Sequence, residues 1–139
     1  MAVRNLVHLD GIYFEQIETR IMRWRDSNGV VSFTSPVTFY RFNHTVLIVI
    51  NAWTATYPSG YTGHYMTDED ISDDFLPSLG SVMSSIITQL SPGIYGIGSV
   101  CIQSDKRIHI YPGAPGTGSV FPSVVLNGLP HNVSLTYSI

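Results

Sequence analysis

Short apolar segments with a period of two, separated by turn residues, run through most of this chain. Such alternation is typical of half-buried β-strands. The predicted strands span residues 17–24, 30–33, 38–42, 45–53, 81–89, 97–103, 107–111 and 132–139. The first of them is ambiguous, because the apolar spacing from residue 12 onward also suits a helix. Eight short strands with frequent turns predict an all-β, antiparallel sandwich or barrel.

Three local features refine this prediction. Asn28-Gly29 tolerates positive φ and predicts a hairpin turn after the first strand. Pro36 is expected to interrupt the strand that follows, since proline lacks a backbone N–H. The unbroken apolar run from Val46 to Ile50 predicts a strand buried on both faces.

Charge is scarce in this sequence. The chain has 139 residues, the length of one domain, and a formal net charge of −3 with only seven Lys and Arg, which gives no basic surface for nucleic acid. No apolar run reaches the ~20 residues of a membrane span, so no membrane insertion is expected. The start of the chain lacks the uninterrupted apolar stretch of a signal peptide, and we therefore expect synthesis in a cytoplasm.

The few charges are also unevenly distributed. No Lys or Arg lies between Phe42 and Ser104, and no charged residue follows Arg107. Monomers of this size usually cover their surface with mixed charges, so a partner is expected to cover part of this one. A second copy is the simplest partner, because a symmetric oligomer needs only one sequence. A monomer with a neutral Ser/Thr/Tyr/Gly surface is the alternative.

Nothing in the sequence predicts catalysis or a cofactor. There is no G-x-S-x-G elbow, the lone Cys101 lies in an apolar alternation, and the five histidines lack zinc-ligand spacing. Gly96-Ile97-Gly98 lacks the third glycine of a dinucleotide fingerprint and indicates close packing instead. The acidic segment 68–74 could hold calcium or supply a carboxylate pair for glycoside cleavage. The pattern favours another interpretation, in which the segment caps a short helical turn and continues as a solvent-exposed acidic face.

An aromatic-rich segment at 53–65 is the strongest candidate for function. Tyrosine and tryptophan stack on the C–H faces of sugar rings, while hydroxyls, imidazoles and charged groups hydrogen-bond sugar hydroxyls. The alternative is that Trp53 closes a core strand and the tyrosines pack over loop backbone. The candidate saccharide-binding residues are Trp53, Tyr57, Tyr61, His64, Tyr65, Asp68, Asp105 and Arg107.

Two stretches resemble head domains of phage receptor-binding proteins. Residues 37–50, VTFYRFNHTVLIVI, are similar to an aromatic-Arg strand that turns through a polar pair into a second strand. Residues 98–111, GSVCIQSDKRIHIY, are similar to the closing hairpin of those heads, a G-x-V-x-I strand, a polar turn and an I-x-I strand. The likeness covers about residues 37–111, and the fibre heads of some animal viruses are similar in architecture.

This resemblance implies a jelly-roll-like head at the tip of a phage tail fibre or baseplate, with residues 1–25 as a neck or trimer contact and 26–139 as the head. It implies a homotrimer on the virion that binds host cell-surface polysaccharide or glycoprotein and contacts other virion or tail proteins, without acting as an enzyme. Two alternatives stay open, a structural virion or baseplate β-domain without glycan binding and a small glycan-hydrolysing enzyme.

Overall fold

A computed structural model of the chain describes residues 7–9, 12–14, 16–29, 32–57 and 63–139. Its twelve strands are β1 (Val7–Leu9), β2 (Ile12–Phe14), β3 (Gln16–Asp26), β4 (Ser32–Phe42), β5 (Thr45–Ile50), β6 (Trp53–Thr56), β7 (Tyr65–Thr67), β8 (Val82–Ser91), β9 (Ile94–Ile102), β10 (Ile108–Tyr111), β11 (Leu126–Leu129) and β12 (Val133–Ser138). A 3-10 turn at Asp73–Phe75 is the one helical element in these ranges. None of the described helical structure is long or apolar enough to cross a membrane.

Ten of the strands form one curled antiparallel sheet. Its order is β12-β5-β4-β3-β7-β10-β9-β8-β11-β6, and β1 pairs with β2 as a separate hairpin. The curl brings the edge strand β12 against β8, so the sheet wraps around its own core like half of a barrel. The predicted all-β, antiparallel fold is confirmed.

Alternation in the sequence explains which face of the sheet is buried. In β3, Met22 and Trp24 point inward and are fully buried, whereas Ile21 and Arg23, which alternate with them, are exposed. The inner face joins aromatic and β-branched side chains from every part of the sheet into one core. At one end Phe39 packs on Phe75 of the 3-10 turn, and the Tyr137 hydroxyl donates a hydrogen bond to the Phe75 carbonyl.

The first predicted strand, for which a helix was the alternative, is a strand in the structure, β3. β3 pairs with β4 along almost its whole length, from Gln16 opposite Arg41 to Arg25 opposite Ser32. The predicted boundary between 1–25 and 26–139 therefore falls inside a central strand of the sheet, and residues 16–25 belong to the folded domain. The turn at 27–29 lies where Asn28-Gly29 predicts it, with Gly29 at φ 75°.

Three strand predictions need correction. Pro36 does not interrupt β4, because pairing with β5 begins one residue later, at Val37, so the missing N–H falls at the end of that ladder. The predicted strand 45–53 is divided at residues 51–52 into β5 and β6. β5 is fully buried on one face only, since Leu47 and Val49 on its other face are half-buried.

Candidate functional site

Three of the candidate aromatic residues belong to the core. Tyr57 and Tyr65 are 0% exposed and Trp53 is 8% exposed. The Trp53 ring lies 4.8 Å from the Tyr65 ring, centroid to centroid, and Tyr57 lies 4.9 Å from Tyr65. The Tyr65 hydroxyl donates to Oδ1 of the buried Asn127 at 2.6 Å. Burial raises the pKa of both tyrosines, so their hydroxyls stay protonated.

These positions correct the expectation that Trp53, Tyr57 and Tyr65 offer ring faces to a ligand. Strand geometry gives the reason: β6 and β7 occupy the two ends of the segment expected to be a loop, and residues of a strand alternate between faces. Tyr65 points inward from β7 with Thr67, while His64 and Met66 point outward. Tyr61 lies outside the described residues.

The outward-facing residues of β7 and β10 meet across the sheet. Met66 pairs with His109, which brings His64 opposite Tyr111 on the outer face. The His64 and Tyr111 rings stack with centroids 4.2 Å apart and planes 16° from parallel. This pair is half-buried, so part of each ring faces solvent.

A hydrogen-bonded chain of three side chains runs beside this stack. Nε2 of His64 lies 3.2 Å from Nδ1 of His109, and Nε2 of His109 lies 2.8 Å from Oδ2 of Asp105. Asp105 is held in the β9–β10 turn, where its Oδ1 accepts the Arg107 backbone N–H at 3.1 Å. We call His64, Asp105, His109 and Tyr111 the histidine cluster.

The chain fixes the tautomers when Asp105 is ionised. His109 then donates from Nε2 to the carboxylate, its Nδ1 accepts from Nε2 of His64, and Nδ1 of His64 becomes an acceptor. Both imidazoles are neutral in this arrangement. Burial, reinforced by the neighbouring His109, lowers the pKa of His64 to about 4. Burial also lowers the pKa of His109 and outweighs the opposing effect of Asp105.

Ion pairs border the histidine cluster on the same outer face. Nε of Arg25 on β3 lies 2.7 Å from Oδ1 of Asp68, and Nε of Arg107 lies 3.5 Å from Oδ1 of Asp70. Asp68 lies two residues after Met66, and Arg107 lies two residues before His109, so both continue this outer face. The structure therefore brings together His64, Asp68, Asp105 and Arg107 of the residues predicted from the sequence.

Three members of this surface, His109, Tyr111 and Arg25, were not among the predicted site residues. A signal for two of them exists in the sequence. In residues 107–111, Arg107, His109 and Tyr111 alternate with two isoleucines, which places all three polar or aromatic residues on one face. Arg25 has no such signal, because only the pairing of β3 with β7 brings it beside Asp68.

The acidic segment 68–74 is engaged by neighbouring groups. Besides the two aspartates already paired, Asp73 lies 3.6 Å from Nζ of Lys106, and Glu69 accepts the Arg23 backbone N–H at 3.0 Å. The helical turn predicted to open at Thr67–Asp70 does not form there; a 3-10 turn follows at Asp73–Phe75, and its N-cap Ser72 makes no side-chain capping bond. Within the described ranges, no three His, Cys, Asp or Glu side chains are grouped to hold a metal ion.

No protein-family model matches this sequence, and no curated protein is significantly similar to it.

Proposed function

We propose that this chain is a viral or phage attachment module that binds a host cell-surface saccharide on the outer face of β7 and β10. In this proposal it is a jelly-roll-like head at the tip of a tail fibre or baseplate, acts as a homotrimer and binds without catalysing a reaction. The His64–Tyr111 stack beside the ionised groups of the same face is the observation that carries the proposal.

The chemistry of the surface suits a sugar. A pyranose ring has apolar C–H faces and polar hydroxyl edges, and it needs both an aromatic surface and hydrogen-bonding groups within a few ångströms. Tyr111 and His64 supply the aromatic surface, and Asp105, whose side chain is 43% exposed, supplies carboxylate oxygens. The Arg25–Asp68 pair adds a charged donor and acceptor at the edge.

Binding is favoured over glycoside cleavage because the acids near the site are already engaged. Cleavage requires two carboxyl groups that flank the scissile bond. Here Asp68, Asp70 and Asp73 each pair with a basic side chain, and Asp105 orients His109. Because these contacts fix the acids in ion pairs and hydrogen bonds, we assign Asp68 and Asp105 to sugar recognition beside the aromatic stack and not to bond cleavage.

A structural virion or baseplate domain is the second candidate. It is favoured by a separate observation, the uncharged apolar surface on β8 and β9, which does not include the histidine cluster. Such a domain would make protein contacts and bind no glycan.

A glycan array distinguishes these candidates. The wild-type chain should bind a defined set of host-type glycans, and Tyr111→Ala and His64→Ala should each weaken binding by about tenfold or more, the expected cost of a lost aromatic contact. His44→Ala is the matched control, because His44 is exposed in the β4–β5 turn, outside the cluster. Absence of binding to any glycan or host cell, or equal binding by all variants, would refute the proposed site.

A further inference from the structure

Within the ten-stranded sheet, Asp, Glu, Lys and Arg lie only on β3 and β4, so the four strands β9, β8, β11 and β6 form an uncharged half. The strands β9, β8, β11 and β6 are adjacent in the sheet and contain no Asp, Glu, Lys or Arg. The other half has Arg20, Arg23 and Arg25 on β3 and Arg41 on β4, and the acidic segment 68–74 lies beside it. A partner that binds the uncharged half therefore cannot be recognised through charge complementarity.

Large apolar side chains point outward from this uncharged half. Ile87 on β8 pairs directly with Ile97 on β9, and these side chains are 50% and 72% exposed. Met83 and Tyr95, two further residues of the same face, are each 57% exposed. The opposite face of the same strands is also apolar, with Ile86 and others in the core. Strands that are apolar on both faces are typical of sheets covered on both sides. We call Met83, Ile87, Tyr95 and Ile97 the apolar face.

The chain covers the neighbouring part of β9 but not the apolar face. Ser99 and Cys101 point to the same side and are each 3% exposed. The Ser99 hydroxyl donates to the Gly113 carbonyl, and Pro115 lines a pocket together with Cys101. Between Ile87, Tyr95 and Ile97 the surface instead forms a shallow apolar depression of about 210 Å³. A side chain from another molecule could fill it.

We propose that the apolar face is the contact through which copies of this chain associate. Four large side chains at half exposure or more leave on the order of 400 Å² of apolar surface, toward the upper part of what monomers carry. This is about half of the ~800 Å² that each partner buries in a stable interface, enough for its apolar centre. A second copy supplies the same uncharged, apolar surface, whereas a charged partner would gain no complementary contact.

Symmetry makes this assignment specific. Residues close to a rotation axis meet their own equivalents, so Ile97 of one copy would contact Ile97 of the next. The inference rests on the self-association in the proposed function and names its surface. It does not depend on saccharide binding, which occupies the other half of the sheet.

The test is the mass of the 139-residue chain in solution, measured by light scattering over a range of protein concentrations. The wild-type chain should form a closed assembly, and Ile97→Glu and Ile87→Glu should shift it to the 15.4 kDa of one chain. The apparent dissociation constant should rise at least ~100-fold, because a buried unpaired charge is strongly unfavourable. The matched control Ile21→Glu, 65% exposed on β3, should leave the mass unchanged.

Circular dichroism checks that each variant folds. If the Ile97→Glu and Ile87→Glu variants fail to fold, a second pair of variants provides the test. In a Cys101→Ser background, oxidation should link copies of Ile97→Cys covalently and leave Ile21→Cys unlinked. A wild-type chain that stays at 15.4 kDa throughout, or an Ile97→Glu assembly as stable as the wild type, would overturn the inference. Loss of glycan binding alone, with the assembly intact, would refute only the saccharide site.

Discussion

The two stacked histidines make the fold sensitive to acid. Folding lowers the pKa of His64 to about 4 and also lowers that of His109, from an ordinary value near 6.5. Above about pH 6.5 both states of the chain hold neutral imidazoles. As the pH falls toward 4, the unfolded chain binds protons that the folded chain does not, so the free energy of unfolding decreases. Below the folded pKa of His64, its contribution no longer changes.

Urea denaturation at a series of pH values from neutral to mildly acidic tests this pH dependence. His64→Gln removes one of the two imidazoles of the histidine cluster, so its stability should fall less steeply with acidification than that of the wild type. His44→Gln is the matched substitution outside the cluster, at an exposed position in a turn. Identical slopes in all three proteins would contradict the assigned burial of His64.

Gly98 illustrates how little space β9 allows at its centre. A Cβ atom at this position would overlap the Tyr111 carbonyl oxygen and Cγ2 of the buried Thr88. Gly98→Ala should therefore destabilise the fold by about 1–3 kcal/mol, the usual effect of overpacking. Gly96→Ala on the same strand is the control, since its Cβ would lie 3.3 Å from the flexible end of Leu90. Equal denaturation midpoints for the two variants would refute this packing.

At the scale of elements, β6 pairs with β11 and packs on the core through the ring of Trp53. The Trp53 ring lies 4.7 Å from Phe33 of β4 and 5.4 Å from Trp24 of β3, centroid to centroid. Trp53→Ala should destabilise the protein by roughly 3–5 kcal/mol, because it leaves a cavity between these strands. Trp53→Phe should cost less, since the buried Nε1 has no hydrogen-bond partner that would be lost.

Chemical denaturation measures both variants, and the glycan array gives an independent readout. A Trp53→Ala protein with wild-type stability and no glycan binding would show that Trp53 belongs to the binding surface and not to the core. Weakened stability with glycan binding retained under native conditions would establish it as a core residue.

The strands themselves were largely predictable from period-two alternation. β8, β9, β10 and β12 begin and end within three residues of their predicted bounds, and the hairpin at Asn28-Gly29 is where its turn chemistry places it. Pro36 shows the limit of local rules: whether a missing N–H interrupts a strand depends on where the neighbouring ladder ends, which only the register decides.

The site was harder to predict for a related reason. The density of aromatic residues at 53–65 indicated function, but strand parity sends Tyr65 inward and His64 outward. A shift of one residue in the strand register would exchange the inward-facing and outward-facing side chains. The stack of His64 on Tyr111 requires β7 and β10 to pair, although residues 68–107 lie between the two strands in the sequence.

At the scale of the whole molecule, one sheet provides two surfaces with different chemistry. β7 and β10 present the histidine cluster and its ion pairs, and β8 and β9 present the apolar face. β10 and β9 are adjacent, with His109 paired to Cys101, so the two surfaces are next to each other and the loop with Gly113 and Pro115 covers the strip between them. Association through one surface would leave the other open in every copy.

This arrangement predicts that attachment depends on assembly. A single saccharide site on an open surface is expected to be weak, but copies joined through the apolar face act on one cell surface together. Linked sites raise the effective concentration of the second contact and strengthen binding by about 10²–10⁴-fold.

On a dense layer of the recognised glycan, the wild-type chain should therefore dissociate far more slowly than Ile97→Glu. In solution, against one soluble glycan, the two should bind each site with equal affinity, because Ile97 lies outside the histidine cluster. Equal dissociation rates from the dense layer would separate assembly from attachment and leave the apolar face with a purely structural role.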